Sequence, residues 1–498
     1  MENLTLFSRR EFLKCVSALS AASATLWAGG CESCIQEIQT EIENRPMRKN
    51  IQSLWAANPS DPVITTYKSA VQMMKALSAS NPGDPRGWEF QAQIHNTKCI
   101  HRNWLWLPWH RAYLVYLERI CRKLTGDNSF ALPYWNWNTH PAVPDPFWDT
   151  SSPLYDSNRA ITQSDQAGSS YIGTMALTNV LNEPNFELFA SLKPQPGQNL
   201  HFPDDGESAT EGMLENTPHD NIHGFIGGDM GSFVSPRDPV FYTHHCMVDC
   251  LWTHWNIDLA NPNTNDTSWT DFSLTDFFDE NGNSVTLSVI TTVLFPILTY
   301  QYEPCSLMTQ GAGKKKLTGR ELERFLRTGA PSKLEFVQRF ELRQTVTAAI
   351  RKPATVTIKV DAAAMSNTIQ GDNKSRIVLT VAGVDIPEKR DFYVRVFLNK
   401  PDVSAETSIE DPHYAGSFGF FYDEAAMKNH AGEHAPAAAT GRPRTGYLVD
   451  ITPTLQKLNQ SGSLPSEVNV SFVPVNYPRR QSAGNLRLQR LEVGVVRF

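Results

Sequence analysis

Two short stretches that can each bring three histidines to one point constrain this chain more than any other feature. In residues 91–118, QAQIHNTKCIHRNWLWLPWHRAYLVYLE, His95, His101 and His110 stand among tryptophans. In residues 217–255, His219 and His223 are four apart, and His244 and His245 follow. Residues four apart on a helix project from one face. His110 opens a helical run in which Leu114, Leu117, Cys121 and Leu124 recur at three to four residues, so that helix can bury one face and aim His110 inward. Asp238-Pro239 is a start signal for a helix carrying His244 and His245. A fold that closes both stretches on one point brings six imidazoles together with no obligatory carboxylate. Imidazole suits copper, zinc, iron and nickel, whereas di-iron bundles recruit Glu and Glu-x-x-His ligands. Copper with three histidines per ion is the best chemical fit. A lone His-x3-His is weak evidence, because two incidental histidines on a helix face give the same pattern; two linked triads are a different matter.

The spacing of the triads, the Cys-x-His at Cys99 to His101, and the HH-x3-D-x2-W run from His244 to Trp252 resemble the two copper-binding regions of tyrosinases and catechol oxidases, the type-3 copper polyphenol oxidases. The resemblance implies two copper ions, the first held by His95, His101 and His110 and the second by His219, His223 and His245. His244 then falls outside the ligand set. It and Asp249 become candidates for support, since a ligand imidazole needs its other ring nitrogen held. Fungal members of the family join the cysteine of Cys-x-His to its histidine by a thioether, and Cys99 and His101 match that arrangement. The alternative for Cys99 is a small buried hydrophobe. Glu215, four residues before His219, matches the plant-type position of a water-holding glutamate, and Asp220 stands where an asparagine often accompanies it. Both are candidates to take the proton of a phenol, or else are capping charges before a helix. Phe233 matches the plant-type gate residue above the first copper, the alternative being a core aromatic.

The implied activity is oxidation of o-diphenols to o-quinones by O2, with hydroxylation of monophenols as a second activity, on small phenolic substrates. The competing reading is a haemocyanin-like reversible oxygen binder. A zinc or iron hydrolase built on His-x3-His is disfavoured, because the catalytic Glu of HExxH is absent.

The length of 498 residues allows about three domains on a prior of roughly 150 residues each. With 45 basic and 52 acidic side chains and a net charge of −7, there is no basic stripe to suggest a nucleic acid partner. Residues 1–30 read as a twin-arginine export signal, Ser8-Arg9-Arg10-Glu11-Phe12-Leu13-Lys14 followed by an apolar run from Cys15 to Gly30 that is too short for a membrane span. The mature chain is therefore expected to pass through the export machinery to a periplasmic or extracellular location, with no transmembrane span. Cys31 also admits a lipoprotein cleavage site. The eight cysteines permit disulfides without requiring them.

Residues 45–305 are expected to form a mainly α catalytic domain, a four-helix bundle around a dicopper site. Ser60-Asp61-Pro62 opens one of its helices, and the Pro-, Gly-, Ser- and Asn-rich stretch 145–217 reads as long loops. Tyr300-Gln301-Tyr302 resembles the motif that ends the catalytic domain in this family. Residues 306–344, with Lys314, Lys315 and Lys316 between glycines, read as a polar linker. From 345 to 498 the period changes to the alternation of an all-β sandwich C-terminal domain. There the run Tyr414-Ala415-Gly416-Ser417-Phe418 resembles the plant-type C-terminal domain that shields the copper site in latent forms. His430-x3-His434 lies in a Gly/Ala-rich loop and reads as a solvated pair.

Overall fold

The computed structural model describes residues 44–201, 205–304, 334–371, 374–422, 444–460 and 466–498. The export signal, Cys31, Cys305, the linker up to residue 333 with its three lysines, and the His430/His434 pair all lie outside the described residues. Among the described residues no helix is long and apolar enough to cross a membrane.

The first half is helical. Asp61 caps α1 (Pro62–Ser80), its carboxylate accepting from Val63 N at 2.8 Å with Pro62 at the first helical position, as the start signal requires. Helix α2 (Trp88–Lys98) follows, then α3 (Trp106–Thr125), which is buried along almost its whole length. Helix α3 starts four residues before His110. Pro108 is tolerated there because the first turn has no intrahelical partner for a backbone N–H. Gly126, at φ 77°, ends the helix in the left-handed conformation that suits glycine. A wide π-helical turn, Glu215–His219, leads into α4 (Asp220–Ile226). Helix α5 (Val240–Thr253) begins where Asp238 Oδ1 accepts from Val240 N at 3.0 Å. Helices α2, α3, α4 and α5 surround the histidines, each contributing at least one.

Behind α3 and α5 lies a buried polar knot. Asp249 on α5 accepts from Arg48 at 2.9 Å and from Arg111 at 2.5 Å. Tyr300 and Tyr302 donate to the same carboxylate at 2.6 and 2.7 Å. Arg48 also pairs with Glu118 at 2.8 Å and lies 3.6 Å from the Tyr300 ring centroid. Tyr-x-Tyr therefore ends the helical half by closing a charge network onto the helix that carries His244 and His245.

The second half is a sandwich of two sheets. Its strands are β2 (Glu335–Ala348), β3 (Ala354–Lys359), β4 (Ser375–Asp385), β5 (Phe392–Leu398), β6 (Tyr414–Phe418), β7 (Arg444–Asp450), β8 (Glu467–Asn476) and β9 (Leu486–Arg497). One sheet runs β6-β5-β8-β3. The other runs β1-β7-β4-β9-β2, where β1 (Asp205–Glu211) comes from the helical half and pairs parallel to β7. Val346, Ile377, Leu379, Val394, Val396, Phe472 and Leu491 fill the space between the sheets.

Two boundaries differ from the sequence reading. The sandwich begins at Glu335, ten residues before the expected 345. Strand β2 is an edge strand whose first ten residues are mostly exposed and carry several charges, so the alternation expected of a half-buried strand is absent. The stretch 145–217 is not all loop: it holds the helices Ser169–Ile172, Thr174–Leu181 and Phe186–Phe189 and the strand β1. The sequence Asp-Gly-Glu-Ser-Ala-Thr-Glu has no apolar alternation, and its strand exists because β7 supplies the backbone partners.

The halves meet over α4. Asn216 Nδ2 donates to Leu448 O at 2.9 Å, and Gly419 N donates to Asn216 O at 2.9 Å. Tyr477 OH donates to Asn221 Oδ1 at 3.0 Å. A Cβ on Gly224 would come within 2.6 Å of the Tyr477 ring, so glycine there lets the sandwich lie directly on the helix.

Burial raises the Asp249 carboxyl, but Arg111, Arg48 and the two tyrosine hydroxyls outweigh it and hold it below the usual carboxylate range. Asp249→Asn leaves two buried guanidinium groups short of a counter-charge and is expected to cost about 3–5 kcal/mol. Denaturant titration measures this directly; an unchanged midpoint would show that Glu118 alone balances the knot.

Candidate metal centre

The six predicted ligands converge. His95 lies near the end of α2, His101 in the turn after it and His110 in the second turn of α3; His219 ends the π-helical turn, His223 lies on α4 and His245 on α5. His219 and His223 are four apart but straddle a junction, because Pro218 lacks the N–H that a regular α turn would use. Such widened turns recur at functional sites.

Five of the six rings are held by Nδ1. His95 Nδ1 lies 2.7 Å from Phe233 O, His110 Nδ1 2.8 Å from Trp106 O, and His223 Nδ1 2.6 Å from Met230 O. His101 Nδ1 lies 3.1 Å from Glu215 Oε1, and His219 Nδ1 lies 2.8 Å from Asp220 Oδ1. An acceptor at Nδ1 fixes the proton there and leaves the Nε2 lone pair facing inward. The Nε2 atoms of His110 and His95 face each other at 3.3 Å, and those of His223 and His245 at 3.4 Å. The Nε2 atoms of His101 and His219 are buried with no hydrogen-bond partner. The two triads abut: the rings of His110 and His245 stack at 4.4 Å, and those of His101 and His219 lie 5.2 Å apart.

Burial keeps these rings neutral. It lowers His95 and His219 to about 3, and together with neighbouring imidazoles it holds His101, His110, His223 and His245 well below the usual histidine range. Neutral, oriented and otherwise unpaired Nε2 atoms are what a soft cation requires. The ligand atoms of His95, Cys99 and His101 lie within 4.8 Å of one another, as do those of His219, His223, His244 and His245. The donor set fits two ions.

The supporting residues distribute themselves unexpectedly. His244 is fully buried with neither ring nitrogen hydrogen-bonded, and it packs its ring 5.5 Å from His219 and 5.0 Å from His223. Asp249 touches no ligand and acts through the arginine knot. Glu215 and Asp220 are buried against the rings of His101 and His219. Glu215 also accepts from Arg102 N at 2.8 Å and from the Ser191 hydroxyl. Burial first, then neighbouring acids, push both carboxyls well above the usual range. Sequence reasoning missed their companion Glu211, which pairs with Arg102 at 3.2 Å. Nothing short of the fold links residue 211 to residue 102.

Phe233 lies parallel to His101, within 5° at 6.2 Å. Sequence reasoning also missed a ring that packs against both triads, Phe421 of the C-terminal half. Its centroid lies 4.1 Å from His223, 5.1 Å from His101 and 5.3 Å from Phe233. The available signal was Phe420-Phe421-Tyr422, an aromatic run just past β6 that continues no strand.

Comparison with known proteins matches two stretches to described domains. Residues 85–208 and 197–258 match the common central domain of tyrosinase, and residues 348–487 match the chloroplastic polyphenol oxidase C-terminal domain. Polyphenol oxidase II, chloroplastic, from Ipomoea batatas is 30% identical over 407 residues, covering 71% of this chain and 64% of that protein. (+)-Larreatricin hydroxylase, chloroplastic, from Larrea tridentata is 29% identical over 509 residues, covering 92% of this chain and 80% of its own. Among solved structures, latent apple tyrosinase superposes with a TM-score of 0.64 at 20% identity, over 91% of this chain and 97% of that one, which speaks for the fold. Every histidine of both triads lies inside the first matched domain and most of the sandwich inside the second, so the chain carries the common central domain of tyrosinase followed by a polyphenol oxidase C-terminal domain.

Proposed function

We propose that the protein is a copper-dependent polyphenol oxidase that uses O2 to oxidise o-diphenols to o-quinones, with hydroxylation of monophenols as a second activity. The observation that carries this reading is the pair of abutting imidazole triads whose Nε2 atoms face a common centre. His95, His101 and His110 would hold one copper, and His219, His223 and His245 the other. Bound copper would supply the redox chemistry, passing electrons from a diphenol to O2. The chain's own residues keep the rings neutral, exclude water and shape the approach. Phe233 offers a parallel face for a phenolic ring, and aromatic contacts of this kind contribute about 0.5–1.5 kcal/mol. Cys99, buried within 4.8 Å of the ligand atoms of His95 and His101, supports a thioether to His101 that would fix that ring on its turn.

Phe421 occupies the space a substrate ring would need, which supports the sandwich as a shield over the site. Arg102 holds this segment in place: its guanidinium donates to Phe421 O at 3.0 Å and lies 5.0 Å from the Tyr422 ring centroid. For Glu215 and Asp220, contact with ligand Nδ1 atoms favours orienting His101 and His219 over taking a proton from a phenol.

Loaded with copper and with disulfides reduced, the protein is expected to carry two ions per chain, to weigh two hydrogens less than its sequence mass, and to consume O2 steadily with catechol. Reversible O2 binding without catechol turnover would favour a carrier, zinc retained after copper-replete expression would exclude the oxidase, and a full sequence mass would remove the thioether.

Phe421→Ala is expected to raise turnover of the intact chain about tenfold, equivalent to losing one aromatic contact of ~1.4 kcal/mol, and by more on bulky diphenols than on catechol. Unchanged rates at full copper loading would mean that the ring does not limit access.

Glu215→Gln and Asp220→Asn are expected to weaken copper retention and to lower monophenol and diphenol rates by a common factor of about 10–100. A loss confined to monophenols, with copper content unchanged, would instead assign these carboxylates to proton transfer.

A further inference from the structure

Far from the histidines, the seam between the two halves contains a charge imbalance. Glu183 lies just past the helix Thr174–Leu181 and is fully buried. Its Oε1 accepts from Asn185 N at 2.8 Å, while Oε2 has no hydrogen-bond partner. Across the seam, Arg376 on β4 brings Nε to 3.6 Å from that Oε2 and to 3.7 Å from Oδ2 of Asp450, the last residue of β7. Arg376 also reaches Asn182 O in the helical half at 3.4 Å. Asp450 Oδ1 accepts from Thr452 N at 2.8 Å. Among the described residues, Arg376 and Asp450 are the charged groups set against Glu183. Two buried carboxylates from opposite halves thus share one guanidinium, and a proton on either of them removes the repulsion between the two.

We propose that Glu183, Asp450 and Arg376 form a proton-operated latch: with one shared proton the sandwich is held against the helical half, and loss of that proton loosens the seam. Burial, then Asp450, raise the Glu183 carboxyl to about 8, and burial raises Asp450 as well. Once the seam opens, a solvated glutamate returns to its ordinary value of about 4.5. The closed form therefore binds the proton more tightly. Its advantage is complete below about pH 4.5 and is lost as pH rises towards about 8, each unit favouring opening by up to about tenfold. Strand β7, which carries Asp450, also pairs with β1 and contacts Asn216 just ahead of α4. Loosening at Asp450 is thereby transmitted to the cover over the histidines.

The test is amide hydrogen exchange on the full copper-loaded chain at about pH 5.5 and about pH 8.5, corrected for the pH dependence of chemical exchange. In the wild type, protection of Arg444–Asp450 relative to α3 should fall about tenfold or more with rising pH. Glu183→Gln and Asp450→Asn each leave one carboxylate for one guanidinium, so both should hold protection nearly level. The latch is overturned if wild-type protection does not change, or if both variants follow the wild type; two substitutions on opposite sides of the seam guard against one that fails to fold. The readout needs no turnover, so a failed latch leaves the oxidase reading standing, and a failed oxidase assay leaves the latch standing.

Discussion

Six imidazoles can share a small volume only if none is protonated, and the rest of the molecule is arranged around that condition. Burial removes the water that would stabilise imidazolium. Carbonyls of Phe233, Trp106 and Met230 and carboxylates of Glu215 and Asp220 then fix the remaining proton of five rings on Nδ1. Each of these acceptors belongs to a different turn or helix end. The centre therefore needs the whole helical half in place, and no isolated segment could preserve it.

Those elements are tied in turn by charges placed away from the rings. Asp249 takes two arginines and two tyrosines behind α5, joining residues as distant as 48 and 302 to the helix that presents His245. A buried carboxylate with so many donors is rigid, because every alternative geometry leaves a charge unpaired.

The sandwich acts as more than a neighbour. It inserts Phe421 among the ligand rings, seats Tyr477 on Gly224 of α4, and borrows β1 to complete its own sheet. A cover joined by a shared strand and by buried polar contacts cannot drift away residue by residue; it stays or leaves as a unit. That cooperativity is what allows a few ionisable groups at the seam to matter for a site they do not touch.

The amino-acid sequence by itself determined the histidines proposed as ligands, the helices that carry most of them and the change from helical to strand periodicity. Each of these is local: His-x3-His spacing, the Asp-Pro start of α5, Gly126 after α3, alternation in β3 and the apolar runs of β4 and β5 all act within a turn or a strand. Tertiary structure alone decided what surrounds the ligands. Glu211 meets Arg102, Phe421 meets His223, Asp249 meets Arg48 rather than an imidazole, and β1 becomes a strand despite a polar sequence. These pairings join residues more than a hundred positions apart in sequence, and their energies depend on burial and on a partner's charge, neither of which exists until the chain has closed.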